Sequence, residues 1–432
     1  MDKALQPVRG MNDVCGEDMP YWQFLEQVAR AVFAEYGYQE IRVPLLEHTA
    51  LFERSIGEFT DIVEKEMYTF ADKGGDSLTL RPEATAGMVR AAISNGLLHN
   101  QKHRLWTAGP MFRHERPQKG RYRQFHQLDC EAFGYEGPDI DAEVILLSAR
   151  LWRRLGLGGL ALQVNSLGTP ESRRGYRDVL VAYFESNRGR LDDDSRRRLG
   201  GNPLRILDSK NPDLKAVIDA APLVMDHLDE ASRAHFAGLQ AHLDACGVSY
   251  TVNPRLVRGL DYYTRTVFEW TSDALGAQDA VCSGGRYDGL VAQLGGEPTP
   301  AIGWALGVER VVELLRETGV AVPGAEPDVY VVLAGERAEQ AGPALVEGWR
   351  DGLPRLRIAV NAGGGSFKSQ LKRADRSGAA LAVIIGDDEA ARGIAAIKPL
   401  RSETLQQQCE WPEVPGRIRA LLPDGTARNE GK

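Results

Sequence analysis

Arg113-His114-Glu115-Arg116-Pro117-Gln118-Lys119-Gly120-Arg121-Tyr122-Arg123 runs straight into Gln124-Phe125-His126-Gln127-Leu128-Asp129-Cys130-Glu131. The first part is dense in cations and broken by Pro117 and Gly120, the composition of a loop between two strands. The second part alternates. One parity carries Phe125, Gln127, Asp129, Glu131 and Phe133; the other carries Gln124, His126, Leu128, Cys130 and Ala132. Successive side chains of a strand point to opposite faces, so Gln127 and Glu131 share one. Arg113 and Glu115 share a parity on the strand before the loop. The pattern predicts an antiparallel hairpin with polar groups on one floor and a basic tip reaching outward. A polyanion with a cationic or polar end-group suits it.

Charged loops are usually solvated, and an isolated Gln/Glu pair on a strand usually faces water. The flanks argue otherwise here. Leu105-Trp106-Thr107-Ala108-Gly109-Pro110-Met111-Phe112 leads in, and Ala132-Phe133-Gly134-Tyr135 leads out. Apolar and aromatic strands of this kind belong to a buried sheet, where a charge is costly unless it is paired or used.

Phe112-Arg113-His114-Glu115 resembles the Phe-Arg-x-Glu signature, motif 2, of the class II aminoacyl-tRNA synthetases. The longer run from Gly109 to Gln127 resembles the histidyl-tRNA synthetase family within that class. Other stretches agree. A helix over residues 20–36, a strand over 38–43 and Pro44 resemble motif 1. Arg258-Gly259-Leu260-Asp261-Tyr262-Tyr263 and Cys282-Ser283-Gly284-Gly285-Arg286-Tyr287 resemble two histidine-specific blocks. Gly303-Trp304-Ala305-Leu306-Gly307-Val308-Glu309-Arg310 resembles motif 3. Two positions depart from the family: Ala84, where it usually has glycine, and Asp129, where it usually has a small residue.

The remaining features set bounds. The chain has 432 residues and a formal charge of −8, enough for two or three domains, with no global bias toward nucleic acid. Phosphate binding needs only a local basic surface. No apolar run is long enough to span a membrane, and the N-terminus lacks a hydrophobic signal core, so a cytoplasmic protein is expected. Cys15, Cys130, Cys246, Cys282 and Cys409 are scattered and odd in number; reduced thiols are expected, and no cysteine or histidine cluster suggests a structural metal.

Taken along the chain, residues 65–70 and 77–80 read as a hairpin around Asp72-Lys73-Gly74-Gly75. Pro82 and Glu83 fit the first turn of a helix, where Glu83 would meet the helix dipole. A helix over 139–152 and a strand over 161–165 follow. Residues 169–247 are helical and charged, with Asn-Pro breaks at Asn202 and Asn211. The arginines there read as a solvated face; the resemblance implies, as the alternative, a clamp on the tRNA acceptor stem. A strand is expected over 256–269. Gly284 and Gly285 are expected to form a turn with exposed backbone. Beyond a Pro/Gly-rich linker, strands at 329–333, 356–360 and 381–385 alternate with helices near 338–349 and 366–375, which predicts a mostly parallel sheet. Lys368, Lys372, Arg373 and Arg376 give the second helix a basic side.

The resemblance implies an α+β class II catalytic domain built on an antiparallel sheet, with a helical insertion and a C-terminal α/β anticodon-binding domain. The expected boundaries are 1–168 and 248–318 for the two parts of the catalytic domain, 169–247 for the insertion, 319–328 for the linker and 329–432 for the last domain. It also implies a histidine–tRNA ligase working as a homodimer on L-histidine, ATP and histidine tRNA, away from membranes. Arg113, Arg258 and Arg310 would be catalytic. Glu83, Thr85, Gln127, Glu131, Arg258, Tyr262, Tyr263 and Tyr287 would bind histidine. Arg113, Glu115, Arg121, Phe125 and Arg310 would bind ATP, with Mg²⁺ near Glu115. Arg116, Gln118 and Arg123 at the loop tip would meet tRNA. A synthetase-like regulatory subunit of ATP phosphoribosyltransferase, which senses histidine without aminoacylating, is the alternative; such proteins lack the last domain.

Overall fold

The computed structural model describes residues 5–57, 60–207, 209, 211–258, 260, 262–276, 280–403 and 405–422. It divides into two units, Met1–Ala321 and Val322–Lys432. In chain order the first unit contributes strands β1 (Gln39–Glu40), β2 (Leu46–His48), β3 (Tyr68–Ala71), β4 (Ser77–Leu80), β5 (His103–Phe112), β6 (Gln124–Phe133), β7 (Ala161–Ser166), β8 (Thr251–Val252), β9 (Thr264–Thr271), β10 (Ala280–Arg286) and β11 (Ala301–Gly307). Its helices are α1 (Met19–Glu35), α2 (Thr49–Ile56), α3 (Thr85–Ser94), α4 (Pro138–Arg154), α5 (Pro170–Ser186), α6 (Asp193–Gly200), α7 (Lys215–Asp219), α8 (Glu230–Ala245), α9 (Leu290–Gln293) and α10 (Val308–Glu317).

Among the described residues, eight strands form one sheet in the order β1-β5-β6-β11-β10-β9-β7-β8, and β2-β4-β3 form a second. The interior of the large sheet is antiparallel, with parallel pairs only at its two ends. β5 and β6 pair without interruption from His103 opposite Phe133 to Phe112 opposite Gln124. The apolar parity of β6, Leu128, Cys130 and Ala132, is buried under α1, α4, α8 and α10 with Leu25, Phe33, Leu151, Leu239 and Leu315. Phe33 stacks on Trp106 and on Trp304, with ring centroids 4.7 and 5.9 Å apart. Because that face is sealed by helices, period-2 alternation turns Gln127, Asp129 and Glu131 to the other face.

The insertion between β7 and β8 contains α5 to α8. Thr169, Asp192 and Asp229 cap α5, α6 and α8 by accepting from Ser172 N, Ser195 N and Ser232 N. Both Asn-Pro breaks become short 3₁₀ turns whose asparagine side chains accept a backbone N–H two residues on. Arg196 and Arg197 pair with Asp193 and Asp194 one turn earlier, as a solvated helix face does. Phe236, Leu239 and Leu243 of α8 join the core under the large sheet.

Several local expectations differ from the structure. The strand over 38–43 shrinks to β1, continued only by Ile41 N donating to Trp106 O. Lys65 and Glu66 belong to a π-helical turn, Ile62–Glu66, rather than to β3. β5 ends at Phe112, so Arg113 and Glu115 lie just past it. Helix α3 begins at Thr85, which leaves Glu83 ahead of its first turn. Among the described residues, the segment before β9 is not strand. Tyr262 and Tyr263 are consecutive and both buried, with ring centroids 4.7 Å apart, and a strand would send them to opposite faces. Gly259 and Asp261, on which part of that reading rests, lie outside the described residues.

Gly284 and Gly285 lie in the middle of β10 rather than in a turn. A Cβ at Gly284 would sit 2.1 Å from Gly303 O, and one at Gly285 2.5 Å from Thr266 O. These glycines allow close backbone approach inside the sheet.

The second unit has strands β12 (Val329–Ala334), β13 (Ile358–Val360), β14 (Leu381–Gly386), β15 (Ile394–Pro399) and β16 (Gln407–Glu410), and helices α11 (Glu336–Gly352), α12 (Phe367–Arg376), α13 (Asp387–Arg392) and α14 (Val414–Leu421). The order is β13-β12-β14-β15-β16, parallel through β14 and antiparallel after it. The sheet is therefore mixed, where a mostly parallel one was expected. Helix α13 is too short for the dozen-residue crossover that a parallel return requires. Gly393, in the left-handed conformation at φ 66°, ends it and turns the chain back.

Candidate active site

The polar parity of β6 opens into a cavity of about 410 Å³. The hairpin supplies Arg113, Glu115, Arg121, Phe125, Gln127 and Glu131 to its wall. Glu83 and Thr85 enter from the start of α3, Arg258, Tyr262 and Tyr263 from the segment before β9, Tyr287 from the end of β10, and Arg310 from the first turn of α10. Segments far apart in the chain meet here because β11 and β10 lie beside β6.

Glu131 marks one end. It is 1% exposed. Thr85 Oγ1 donates to its Oε1 at 2.7 Å, and the Tyr287 hydroxyl donates to its Oε2. Burial raises its pKa to about 8, against the opposing effect of those two bonds; nearby Glu83 adds to the rise. Gly303, opposite Glu131 on β11, makes room for the carboxylate: a Cβ there would lie 1.7 Å from Oε2. Tyr262 packs edge-on against Tyr287 at 5.5 Å, with Tyr263 beside it. The result is an aromatic slot with one carboxyl group at its base.

Glu83 serves the helix as well as the cavity. Its carboxylate accepts from Thr85 N at 3.0 Å and Ala86 N at 2.8 Å, satisfying donors at the α3 N-terminus. Asp129 does not point into water: it is wholly buried, and both of its oxygens lack a hydrogen-bond partner.

The other end is cationic. Arg113 donates from Nε to Pro82 O at 2.8 Å and lies 5.2 Å over the Phe125 ring. Arg121 pairs with Glu115 at 3.1 Å. Arg258 donates to Glu269 Oε2 at 2.8 Å and to Ser283 Oγ at 2.6 Å, and these acceptors sit opposite each other on β9 and β10. Its Nε is buried without a partner. Arg310 donates to Gly120 O and Ala280 O. Burial, and then the neighbouring Arg121 guanidinium, lowers the Arg310 pKa. Cations crowded closely enough to depress one another form a site for an anion of high charge.

Of the three residues expected at the loop tip, Arg116 and Gln118 are exposed. Arg123 turns inward, donating from Nε to Glu115 O. Lys119 pins the tip to α10 through Glu313 and Glu317. Sequence reasoning missed Glu66, Glu269, Ser283 and Glu309, all of which line the cavity. Glu309 accepts from His126 N at 2.9 Å and from His126 Nδ1 at 3.0 Å, tying α10 to β6. Glu269 carried a usable signal, being a carboxylate between Phe268 and Trp270. Glu66 carried none, because only the π-helical turn brings it inward.

Two family models match. The tRNA synthetase class II core domain (G, H, P, S and T) covers residues 68–318, and the anticodon binding domain covers residues 328–421. The chain is 57% identical over 424 residues to the histidine–tRNA ligase of Hydrogenovibrio crunogenus, covering 98% of this chain and 100% of that protein. It is 58% identical to that of Halorhodospira halophila, covering 98% and 99%. Among solved structures, apo histidyl-tRNA synthetase from S. aureus aligns with a TM-score of 0.81 at 34% identity, over 96% of this chain and 100% of that one. The chain belongs to the histidine–tRNA ligases, the histidyl-tRNA synthetase family of class II.

Proposed function

We propose that this cavity activates L-histidine with ATP and then charges histidine tRNA. In the first step a histidine carboxylate oxygen attacks the α-phosphorus, the bond to pyrophosphate breaks, and histidyl-adenylate forms. In the second step the 3′-hydroxyl of the terminal adenosine of the tRNA attacks the acyl carbon and AMP leaves. Neither step needs a protein nucleophile. Charge grows on phosphate oxygens, so positioning and electrostatic stabilisation carry the rate.

Arg113 and Arg258 hold the α-phosphate. Arg310 holds the γ-phosphate and covers the adenine, with Phe125 and Arg121 beside it. Glu131 accepts from one imidazole nitrogen between Tyr262, Tyr263 and Tyr287. This fixes the ring tautomer and rejects apolar isosteres, which would leave buried polar groups unpaired. Glu83 and Gln127 receive the amino-acid backbone, and Thr85 keeps Glu131 in place.

Mg²⁺ fits the triphosphate end. Glu66 and Glu115 crowd there closely enough that burial, and then Glu115, raises the Glu66 pKa; a divalent cation relieves such crowding. Bound with ATP near these carboxylates, it supplies neutralisation of phosphate charge. Arg116 and Gln118 reach the acceptor end of the tRNA, and the second unit binds the anticodon. We take the enzyme to be a cytoplasmic homodimer; exposed Leu45, Leu46 and Phe70 on and beside the smaller sheet support a partner surface.

The observation that carries this reading is a buried carboxyl under an aromatic slot in the same cavity as Arg113, Arg258 and Arg310. Pyrophosphate exchange should respond to histidine and to no other amino acid, and charging of histidine tRNA should follow. Histidine binding without exchange would move the chain to the histidine-sensing class instead.

A further inference from the structure

Between Gln127 and Glu131 the cavity floor conceals a group of polar atoms that the reading above leaves unused. Asp129 Oδ1 and Oδ2, Gln127 Oε1 and Thr107 Oγ1 are all buried without a hydrogen-bond partner. Thr107 lies directly opposite Asp129 across the β5–β6 pair. Gln127 is two residues along β6 on the same face. Directly opposed side chains have Cβ atoms about 5 Å apart, and same-face neighbours on one strand lie about 7 Å apart. Gln127 lines the cavity while its carbonyl oxygen is buried, so its amino group is the end turned to the cavity.

Buried polar groups are paired in nearly every folded protein. With Asp129 ionised, this group holds three acceptor oxygens and one donor, the Thr107 hydroxyl. With Asp129 neutral the group gains a second donor, the Asp129 hydroxyl, which matches the Gln127 carbonyl oxygen. The charges facing Asp129 are Glu131 on its own strand, Glu83 ahead of α3, Arg81 after β4 and Arg113 after β5. Arg81 already donates to Pro110 O and Val43 O, and Arg113 to Pro82 O.

We propose that the Asp129 carboxyl, carrying its proton, donates it to the Gln127 carbonyl oxygen and so holds the Gln127 amino group facing the cavity, where it donates to a carboxylate oxygen of the substrate histidine. Asp129 is thus a positioning residue. Without it the Gln127 amide is free to rotate by half a turn and present an oxygen to the substrate's negative end. Burial, followed by Glu131 and then Glu83, raises the Asp129 pKa well above the usual carboxylate range, which agrees with a retained proton. The proposal rests on the reading of this cavity as one that activates histidine.

The test is histidine-dependent pyrophosphate exchange by the full chain and by Asp129→Asn and Asp129→Ala, from pH 6.5 to about 9.5, with thermal melts as a folding control. Asparagine keeps an N–H donor at the same place, so Asp129→Asn should stay within about threefold of the wild type at pH 7. Asp129→Ala should raise the histidine KM about tenfold, the value of one lost hydrogen bond, with the ATP KM unchanged. The ratio of Asp129→Asn to wild-type kcat/KM for histidine should climb at alkaline pH, because only the wild type can lose the Asp129 proton. A flat ratio, or an asparagine variant as impaired as the alanine one, would overturn the proposal. A wild-type chain that shows no histidine-dependent exchange would instead overturn the functional reading beneath it.

Discussion

Glu131→Gln tests the site at its most informative buried charge. A pKa raised from 4.5 to about 8 corresponds to about 5 kcal/mol between the two protonation states. In the unfolded chain the carboxyl ionises near 4.5; in the fold it keeps its proton until about 8. The folded state is therefore favoured below pH 4.5, loses that advantage as pH climbs toward 8, and is level above it. Glutamine has the same shape and can still bond to Thr85 and Tyr287, but it cannot ionise. Melting temperatures of variant and wild type, without substrate, should lie close together near pH 5 and separate by pH 8.5, the variant higher. At about 2 °C per kcal/mol for a unit of this size, the separation should reach several degrees, with about 10 °C as the upper limit. The same variant should lose histidine-dependent exchange at about pH 9, where the wild-type carboxyl is ionised, while still binding ATP, because an amide cannot supply the charge-assisted bond to the imidazole N–H. Melting differences that stay constant across pH would refute the burial argument. Normal histidine activation by the variant would refute the assignment of the slot.

Three further outcomes are expected. Gly303→Ala places a methyl 1.7 Å from the Glu131 carboxylate and 2.2 Å from the Cys130 backbone oxygen, so the β6–β11 pair must shift; histidine KM should rise at least tenfold, and the melting temperature should fall with it. Asp141 lies at the centre of a wholly buried pair with Arg286, and His235 also bonds to it at 2.7 Å. Burial alone would raise its pKa, but bonds from His235 and Arg286 outweigh that and lower it. Asp141→Asn leaves the Arg286 charge poorly matched and should cost about 3–5 kcal/mol in denaturant unfolding. Arg116→Ala together with Gln118→Ala should slow transfer to tRNA more than adenylate formation, as single-turnover kinetics of the two steps would register; equal loss in both would remove these residues from tRNA contact.

How much could be read in advance depended on the range of the interaction. The β5–β6 hairpin was legible because strand alternation is a local signal. Leu128, Cys130 and Ala132 had to face one way and Gln127, Asp129 and Glu131 the other. Arg113, Arg258 and Arg310 were legible through the sequence blocks that carry them, although none of the three lies on a strand. The pairings were not. Glu269 and Ser283 become the acceptors of Arg258 only because β9 and β10 lie side by side. Gly284 and Gly285 looked like a turn from composition, and only the neighbouring strands reveal that they are there for close packing. The antiparallel end of the second sheet was hidden for a related reason, since strand direction depends on how far α13 carries the chain before Gly393 turns it.

The order of chemical groups along the chain was thus enough to determine the hairpin, the family resemblance and many of the side chains that meet in the cavity, though not Glu66, Glu269, Ser283 or Glu309. What only the tertiary structure decided was the environment of those side chains: how deeply Glu131 and Asp129 are buried, which donors reach them, and which cations press on one another. Residue identity is a local property, whereas desolvation and charge–charge interaction depend on every atom within several ångströms, and those atoms come from segments that the linear sequence keeps far apart.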